Sequence, residues 1–164
     1  MILIGIGANL PSARCGPPER TCEAALETLA AEGVCVLRRS RWYRSAPVPP
    51  SEQPWYVNGV VQASTRLGPK PLLELLHRIE RAFGRVRAEP NAARVIDLDL
   101  LAYDDLITDG PDEPLLPHPR MHQRAFVLLP LAEIAPEWRH PVTGEPIDRL
   151  IAALPPDQTA TPVE

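Results

Sequence analysis

The chain has 164 residues, 45% apolar and 23% charged, the proportions of one ordinary globular domain with room for a sizeable core. Its formal charge of −4 excludes a general nucleic-acid or membrane-surface binder, because basic residues concentrate in a single segment. No apolar run reaches the ~18 residues that a membrane helix needs.

The start, Met1-Ile2-Leu3-Ile4-Gly5, lacks the basic flank of a signal peptide. Three cysteines (Cys15, Cys22, Cys35) without a C-x-x-C pair suit a reducing compartment, so the expectation is a cytoplasmic protein. Proline is abundant, at 21 residues spread through connections rather than in a repeat, which points to long rigid loops.

Taken in chain order, residues 2–8 form a β-branched run and predict a strand. Pro17 or Pro18 can open a helix at its first position and Gly33 can close it, giving a helix over about 18–32. Residues 34–44 and 55–65 read as two strands joined by 45–54. The clearest helix is 69–83, with Leu72, Leu73, Leu76, Ile79 and Phe83 on one apolar stripe. Residues 95–103 form a further strand. The order β-α-β-β-α-β predicts an α+β, ferredoxin-like fold, an antiparallel sheet with helices packed on it. Additional helices are expected at 124–134 and 147–154. Residues 1–154 then make one domain, and 155–164 a frayed, flexible tail.

The chemistry concentrates in Arg94-Val95-Ile96-Asp97-Leu98-Asp99-Leu100-Leu101. Carboxylates are depleted in strands, yet two are embedded here. Successive strand side chains alternate between faces, so Asp97 and Asp99 project together while Ile96, Leu98 and Leu100 enter a core. Neighbouring carboxylates repel unless a proton or cation lies between them. An oxygen-only pair suits Mg²⁺, which completes its shell with water and substrate phosphates. Taken alone, the pair is also what the wet face of an edge strand carries.

Just upstream, residues 78–94 read RIERAFGRVRAEPNAAR, net +3 in an acidic chain. Gly84, Pro90 and Asn91 break regularity, so Arg85 and Arg87 are expected on a loop rather than a helix. Arginine binds phosphate bidentately, and Arg85, Arg87 and Arg94 stand close in sequence to the acid pair. Acids for a cation beside arginines for phosphate equip a site for a metal–polyphosphate complex.

Residues 45–54 carry four prolines, which lower the entropy of the free loop and pre-organise its backbone groups for a small ligand. Tyr56 and Asn58 share a strand face, a flat ring beside a donor–acceptor amide, which suits a planar heterocycle. Further on, Leu116-Pro117-His118-Pro119-Arg120-Met121-His122-Gln123-Arg124-Ala125-Phe126 offers His118 and Arg124 to phosphates and Phe126 to a ring opposite Tyr56. None of the common nucleotide motifs occurs: no G-x-x-x-x-G-K-[ST], no G-x-G-x-x-G.

Taken together these segments resemble the 6-hydroxymethyl-7,8-dihydropterin pyrophosphokinase family of folate biosynthesis. The matching pieces are Gly7-Ala8-Asn9-Leu10, Ser40-Arg41-Trp42-Tyr43-Arg44-Ser45-Ala46-Pro47, Gln53-Pro54-Trp55-Tyr56-Val57-Asn58, and Arg78-Ile79-Glu80 with Gly84-Arg85-Val86-Arg87. They continue through Arg94-Val95-Ile96-Asp97-Leu98-Asp99, Pro117-His118-Pro119-Arg120-Met121, Arg124-Ala125-Phe126 and Pro130-Leu131-Ala132-Glu133-Ile134-Ala135-Pro136.

The resemblance implies transfer of diphosphate from ATP to the pterin hydroxymethyl group, with release of AMP. It assigns Asp97 and Asp99 to two Mg²⁺ ions. The pterin falls between Tyr56 and Phe126, with Asn58 on its polar edge and Ser45, Ala46, Pro47 and Val48 around it. Arg85, Arg87, Arg94, His118 and Arg124 meet the triphosphate, the first three as catalytic groups, and His77 and Glu80 lie toward the nucleoside. The implied partners are these small molecules, with no nucleic acid, membrane or obligate protein partner. Three departures from many relatives stand out: His77 replaces a glutamine, Pro119 replaces a tyrosine, and Asn91-Ala92-Ala93 replaces a Trp-Gly-Pro run. Two readings compete with this one: a D-x-D sugar or nucleotidyl transferase, and a non-enzymatic ligand-binding module on the same fold.

Overall fold

A computed structural model describes residues 1–12, 14–47, 50–84, 95–108 and 110–163. Four candidate site residues, Val48, Arg85, Arg87 and Arg94, and all of the expected loop beyond Gly84 lie outside the described residues. The elements are β1 (Ile2–Ala8), α1 (Pro18–Ala31), β2 (Cys35–Arg39), β3 (Tyr43–Ser45), β4 (Tyr56–Ser64), α2 (Pro69–Ala82), β5 (Asp97–Tyr103), a short 3-10 turn (Met121–Gln123), α3 (Ala125–Ile134), α4 (Ile147–Ala152) and β6 (Ala160–Pro162).

The strands form one antiparallel sheet in the order β5-β1-β4-β3-β6, with β2 also paired to β4. The late strand β5 thus lies beside β1 and the hairpin strands beyond it, which is the ferredoxin-like arrangement. Alternation along the strands divides the sheet. Ile2, Ile4 and Ile6 of β1, with Leu98 and Leu100 of β5, pack against Cys22, Ala25, Leu26 and Leu29 of α1 and Leu72, Leu76 and Ile79 of α2. On the opposite face Leu3, Val60 and Leu101 pack against Val127, Leu128 and Leu131 of α3 and Ile147 and Leu150 of α4.

Packing holds these helices, since α1 and α2 start at Pro17 and Gly68 with no side-chain cap. Each fully buried Leu or Ile contributes about 1.5–3 kcal/mol, more than a cap supplies. Gly33 ends α1 at φ +87°, a left-handed conformation that glycine adopts without strain. The turn closes with Gly33 N–H on the Ala30 carbonyl at 3.2 Å and Val34 N–H on the Leu29 carbonyl at 2.9 Å. The α2 stripe is rotated slightly from expectation: Leu75 is buried, whereas Leu73 is half-buried at the margin.

Two expectations are corrected. Residues 34–44 are not one strand, because the Ser40 side chain interrupts the ladder. Its hydroxyl accepts the Val60 N–H at 3.0 Å and donates to the Arg41 carbonyl at 2.7 Å, so a side chain takes over part of the backbone pairing. The Trp42 ring then folds over Gly59, where a Cβ would lie 2.6 Å from the ring, and pairing resumes only at Tyr43. The second correction concerns residues 155–164, which are not simply a frayed tail. Within them, β6 adds to the sheet edge through Tyr43↔Pro162, Arg44↔Thr161 and Ser45↔Ala160. Pro162 is tolerated because β6 is an edge strand.

Candidate functional site

The α3 face of the sheet is only partly covered. Past Leu3, β1 presents Gly5 and Gly7 instead of larger residues, and an open cleft of about 860 Å³ lies above them. The register sets its floor. Gly5 pairs with Asp99 and Gly7 with Asp97 on the β5 side, while Gly7 pairs with Asn58 on the β4 side. Both aspartates therefore stand on the cleft face, half-buried, with Ile96, Leu98 and Leu100 buried behind them. The expected division of the acid strand holds.

Glycine at position 7 is a steric requirement. A Cβ there would lie 2.8 Å from Asn58 Nδ2, so the amide occupies the space that a side chain would need. Asn58 is itself buried, and Ser45 Oγ donates a hydrogen bond to its Oδ1. That bond fixes the amide plane across the cleft wall. Asn9, from the exit of β1, plays the matching part for the proline-rich connection. Its Nδ2 donates to Gln53 Oε1 and to the Pro54 carbonyl, both at 3.1 Å, pinning the end of that loop to the sheet.

Of the sequence-predicted residues, the cleft brings together Ser45, Ala46, Pro47, Tyr56, Asn58, Asp97, Asp99, Arg124 and Phe126. Tyr56 comes from the start of β4 and Phe126 from the first turn of α3, so two rings line one cleft from different elements. The Arg124 guanidinium lies 5.3 Å from the Phe126 ring centroid, a cation–π pair whose two members both line the cleft. His118 stands beside this group without lining the cleft. Burial, with Arg124 and Arg120 adding to it and Asp97 opposing, pushes its imidazole down to about 4. The Arg120 N–H donates to Nδ1 at 3.2 Å, so the neutral ring carries its proton on Nε2.

His77 and Glu80 sit on α2, behind β5. Glu80 is 1% exposed and accepts the Leu98 N–H at 2.9 Å, between the two aspartates in sequence. It thereby ties α2 to the acid strand. Gly5, Ile6, Gly7, Ser51, Gln53, Gly59 and Val127 complete the cleft; Ser51 and Gln53 belong to the 45–54 connection expected to face a ligand, and the other five were missed by sequence reasoning. A signal existed for two of them: Gly5 and Gly7 have the same spacing as Asp97 and Asp99, and small residues on one strand face leave room above it.

An anchor outside the cleft positions α3. Glu133 accepts the Arg41 N–H at 2.6 Å and Tyr43 O–H at 2.5 Å, joining α3 to the start of β3. Burial would raise its carboxyl, but the bonds from Tyr43 and Arg41 outweigh this and hold it below the ordinary range. Asp97 and Asp99 are the groups suited to a cation here. Among the described residues no cluster of three or more His, Cys, Asp or Glu is placed to hold a metal.

The family model for 7,8-dihydro-6-hydroxymethylpterin-pyrophosphokinase (HPPK) matches residues 3–136. The chain belongs to the HPPK family. The 2-amino-4-hydroxy-6-hydroxymethyldihydropteridine pyrophosphokinase of Methylorubrum extorquens is 41% identical over 155 residues, covering 93% of this chain and 92% of that protein. The Synechocystis protein of the same name is 42% identical over 150 residues, covering 91% of this chain and 73% of its own length. The solved HPPK-DHPS of Plasmodium falciparum superposes with a TM-score of 0.67 at 14% identity, covering 92% of this chain and 43% of that one. At that identity the likeness establishes the HPPK fold alone. Every cleft-lining residue falls within the matched HPPK span, whereas α4 and β6 lie beyond it.

Proposed function

We propose that this protein transfers diphosphate from ATP to the hydroxymethyl group of 6-hydroxymethyl-7,8-dihydropterin, forming the pterin diphosphate and AMP in folate biosynthesis. The observation that carries the reading is one cleft holding two aromatic rings, a fixed amide and a paired-carboxylate floor, in a chain of the HPPK family. The rings of Tyr56 and Phe126 suit the two faces of a flat heterocycle. Asn58, held by Ser45, offers its amide to the heterocycle's polar edge.

The attacking group is a neutral alcohol, a weak nucleophile. Catalysis then depends on in-line placement and on neutralising charge at the transferring phosphorus. Arg124, which lines the cleft, and the Nε2–H of neutral His118 beside it are the described groups proposed to donate to phosphate oxygens. Arg85, Arg87 and Arg94 are proposed for the same task from the sequence.

Asp97 and Asp99 fit Mg²⁺. They are oxygen donors on one strand face that lines the cleft, opposite two glycines that carry no side chain. Two ions are proposed, held by these carboxylates, water and the ATP phosphates. When bound, Mg²⁺ supplies charge neutralisation for the phosphates. The chain's own groups orient the two substrates.

Asp97→Ala and Asp99→Ala test the assignment. Each variant is expected to keep the wild-type far-ultraviolet circular dichroism and to lose at least about a hundred-fold in ATP- and pterin-dependent turnover, as when one charge-stabilising group is removed from a site. Turnover near wild type in either variant would show the carboxylates to be ordinary surface groups.

A further inference from the structure

The C-terminal segment lies beyond the matched family span, yet it touches both walls of the cleft. One wall is the end of β3 and the following loop, with Ser45, Ala46 and Pro47. The other is the first turn of α3, with Arg124 and Phe126.

The side-chain amide of Gln158 brackets Arg124. Its Oε1 accepts the Ala125 N–H at 2.7 Å, and its Nε2 donates to the Gln123 carbonyl at 2.8 Å. Helix α3 needs such a partner, because its N-cap residue, Arg124, makes no side-chain capping bond of its own. A residue 33 positions away supplies the cap instead. The next two residues reach the opposite wall. The Thr159 carbonyl accepts the Ala46 N–H at 3.3 Å, and Ala160 pairs with Ser45, whose hydroxyl holds Asn58. Beyond them, Val163 N–H donates to the Trp42 carbonyl at 2.8 Å and secures the far end.

We propose that residues 158–163 form a strap that sets the spacing between the two cleft walls, with Gln158 as its positioning residue for Arg124 and Phe126. This rests on the pterin reading of the cleft. Three consecutive residues clamp both walls, so the placement of Phe126 relative to Ser45, and through the Ser45↔Tyr56 pairing relative to the Tyr56 ring, depends on them. No cleft-lining side chain belongs to the strap, so it acts through the backbone of the residues that do line the cleft.

The test compares wild type with Gln158→Ala and Gln158→Glu. Binding of 6-hydroxymethyl-7,8-dihydropterin is followed by the ligand's fluorescence, and steady-state kinetics are measured with Mg-ATP. For Gln158→Ala, pterin affinity is expected to fall about five-fold, the effect of losing one helix cap carried into binding, while kcat at saturating substrates stays within about two-fold. Gln158→Glu keeps the acceptor for Ala125 but loses the donor to Gln123, so its affinity is expected between the other two. If Gln158→Ala folds poorly, the comparison of folded Gln158→Glu with wild type decides the matter: a weakened pterin affinity supports the strap and an unchanged one overturns it. Unchanged pterin affinity in both variants beside a binding wild type would overturn the strap and leave the assigned reaction standing. A wild type that fails to bind the pterin would overturn both.

Discussion

At the scale of single residues, the site depends as much on side chains left out as on those present. Gly7 is the clearest case, since the Asn58 amide occupies the space of a side chain there. Asn58 is buried and bonded to Ser45, so it cannot simply swing away. Gly7→Ala is therefore expected to overpack the floor, an effect of about 1–3 kcal/mol, and to weaken pterin binding roughly ten-fold as Asn58 is displaced. A dissociation constant equal to wild type in the folded variant would contradict this. The carboxylates, the Tyr56 ring and Asn58 were legible in the sequence because strand alternation is local: once 95–103 and 55–65 are strands, the faces follow. The glycine floor was not legible in the same way. Its role depends on which residues stand opposite in β4 and β5, about fifty and about ninety positions away along the chain.

Among elements, the acid strand is held in place from behind. Glu80 lies buried on α2 and accepts the Leu98 N–H, so its position fixes the backbone between Asp97 and Asp99. Glu80→Ala removes this acceptor from a buried strand and is expected to cost about 1–3 kcal/mol of stability, read by urea denaturation. No change in the denaturation midpoint would show that Leu98 finds another partner at no cost. A second tie joins α1 to the strand region. Glu23 accepts from Arg39 at 3.0 and 2.5 Å and from Trp42 Nε1 at 2.9 Å. The Arg39 bond, opposed by partial burial and aided by Trp42, holds its carboxyl below the ordinary 4.5. A carboxyl lowered in the folded state binds fewer protons there than in the unfolded chain. Its contribution is thus complete above about pH 4.5 and fades as the pH falls through the folded value. Glu23→Gln is expected to flatten the loss of stability below that pH, by a modest amount because the pair is well exposed. An acid-side slope identical to wild type would remove Glu23 from the account. The boundaries of α1 and α2 were readable from Pro18, Gly33 and the apolar stripe. The break between β2 and β3 was not, because it arises from the Ser40 hydroxyl and from Trp42 lying over Gly59, both contacts with another strand.

For the whole molecule, the sheet sorts its work by face. One face buries α1 and α2 in a continuous apolar layer, and the other is half covered by α3 and α4 and half left open as the cleft. The order β-α-β-β-α-β made this arrangement readable, since few sheets accommodate it. The sixth strand escaped notice. Residues 160–162 are Ala-Thr-Pro, with no apolar alternation, and they become a strand only because β3, over a hundred residues earlier, offers an open edge. The central claim is that this cleft directs attack at the β-phosphorus of ATP rather than the γ. The direct measurement is phosphorus NMR of a reaction containing the protein, Mg-ATP and 6-hydroxymethyl-7,8-dihydropterin. The account predicts AMP and a pterin diphosphate appearing in equal amounts, with both disappearing when the pterin is omitted. Stoichiometric ADP with a pterin monophosphate would contradict it.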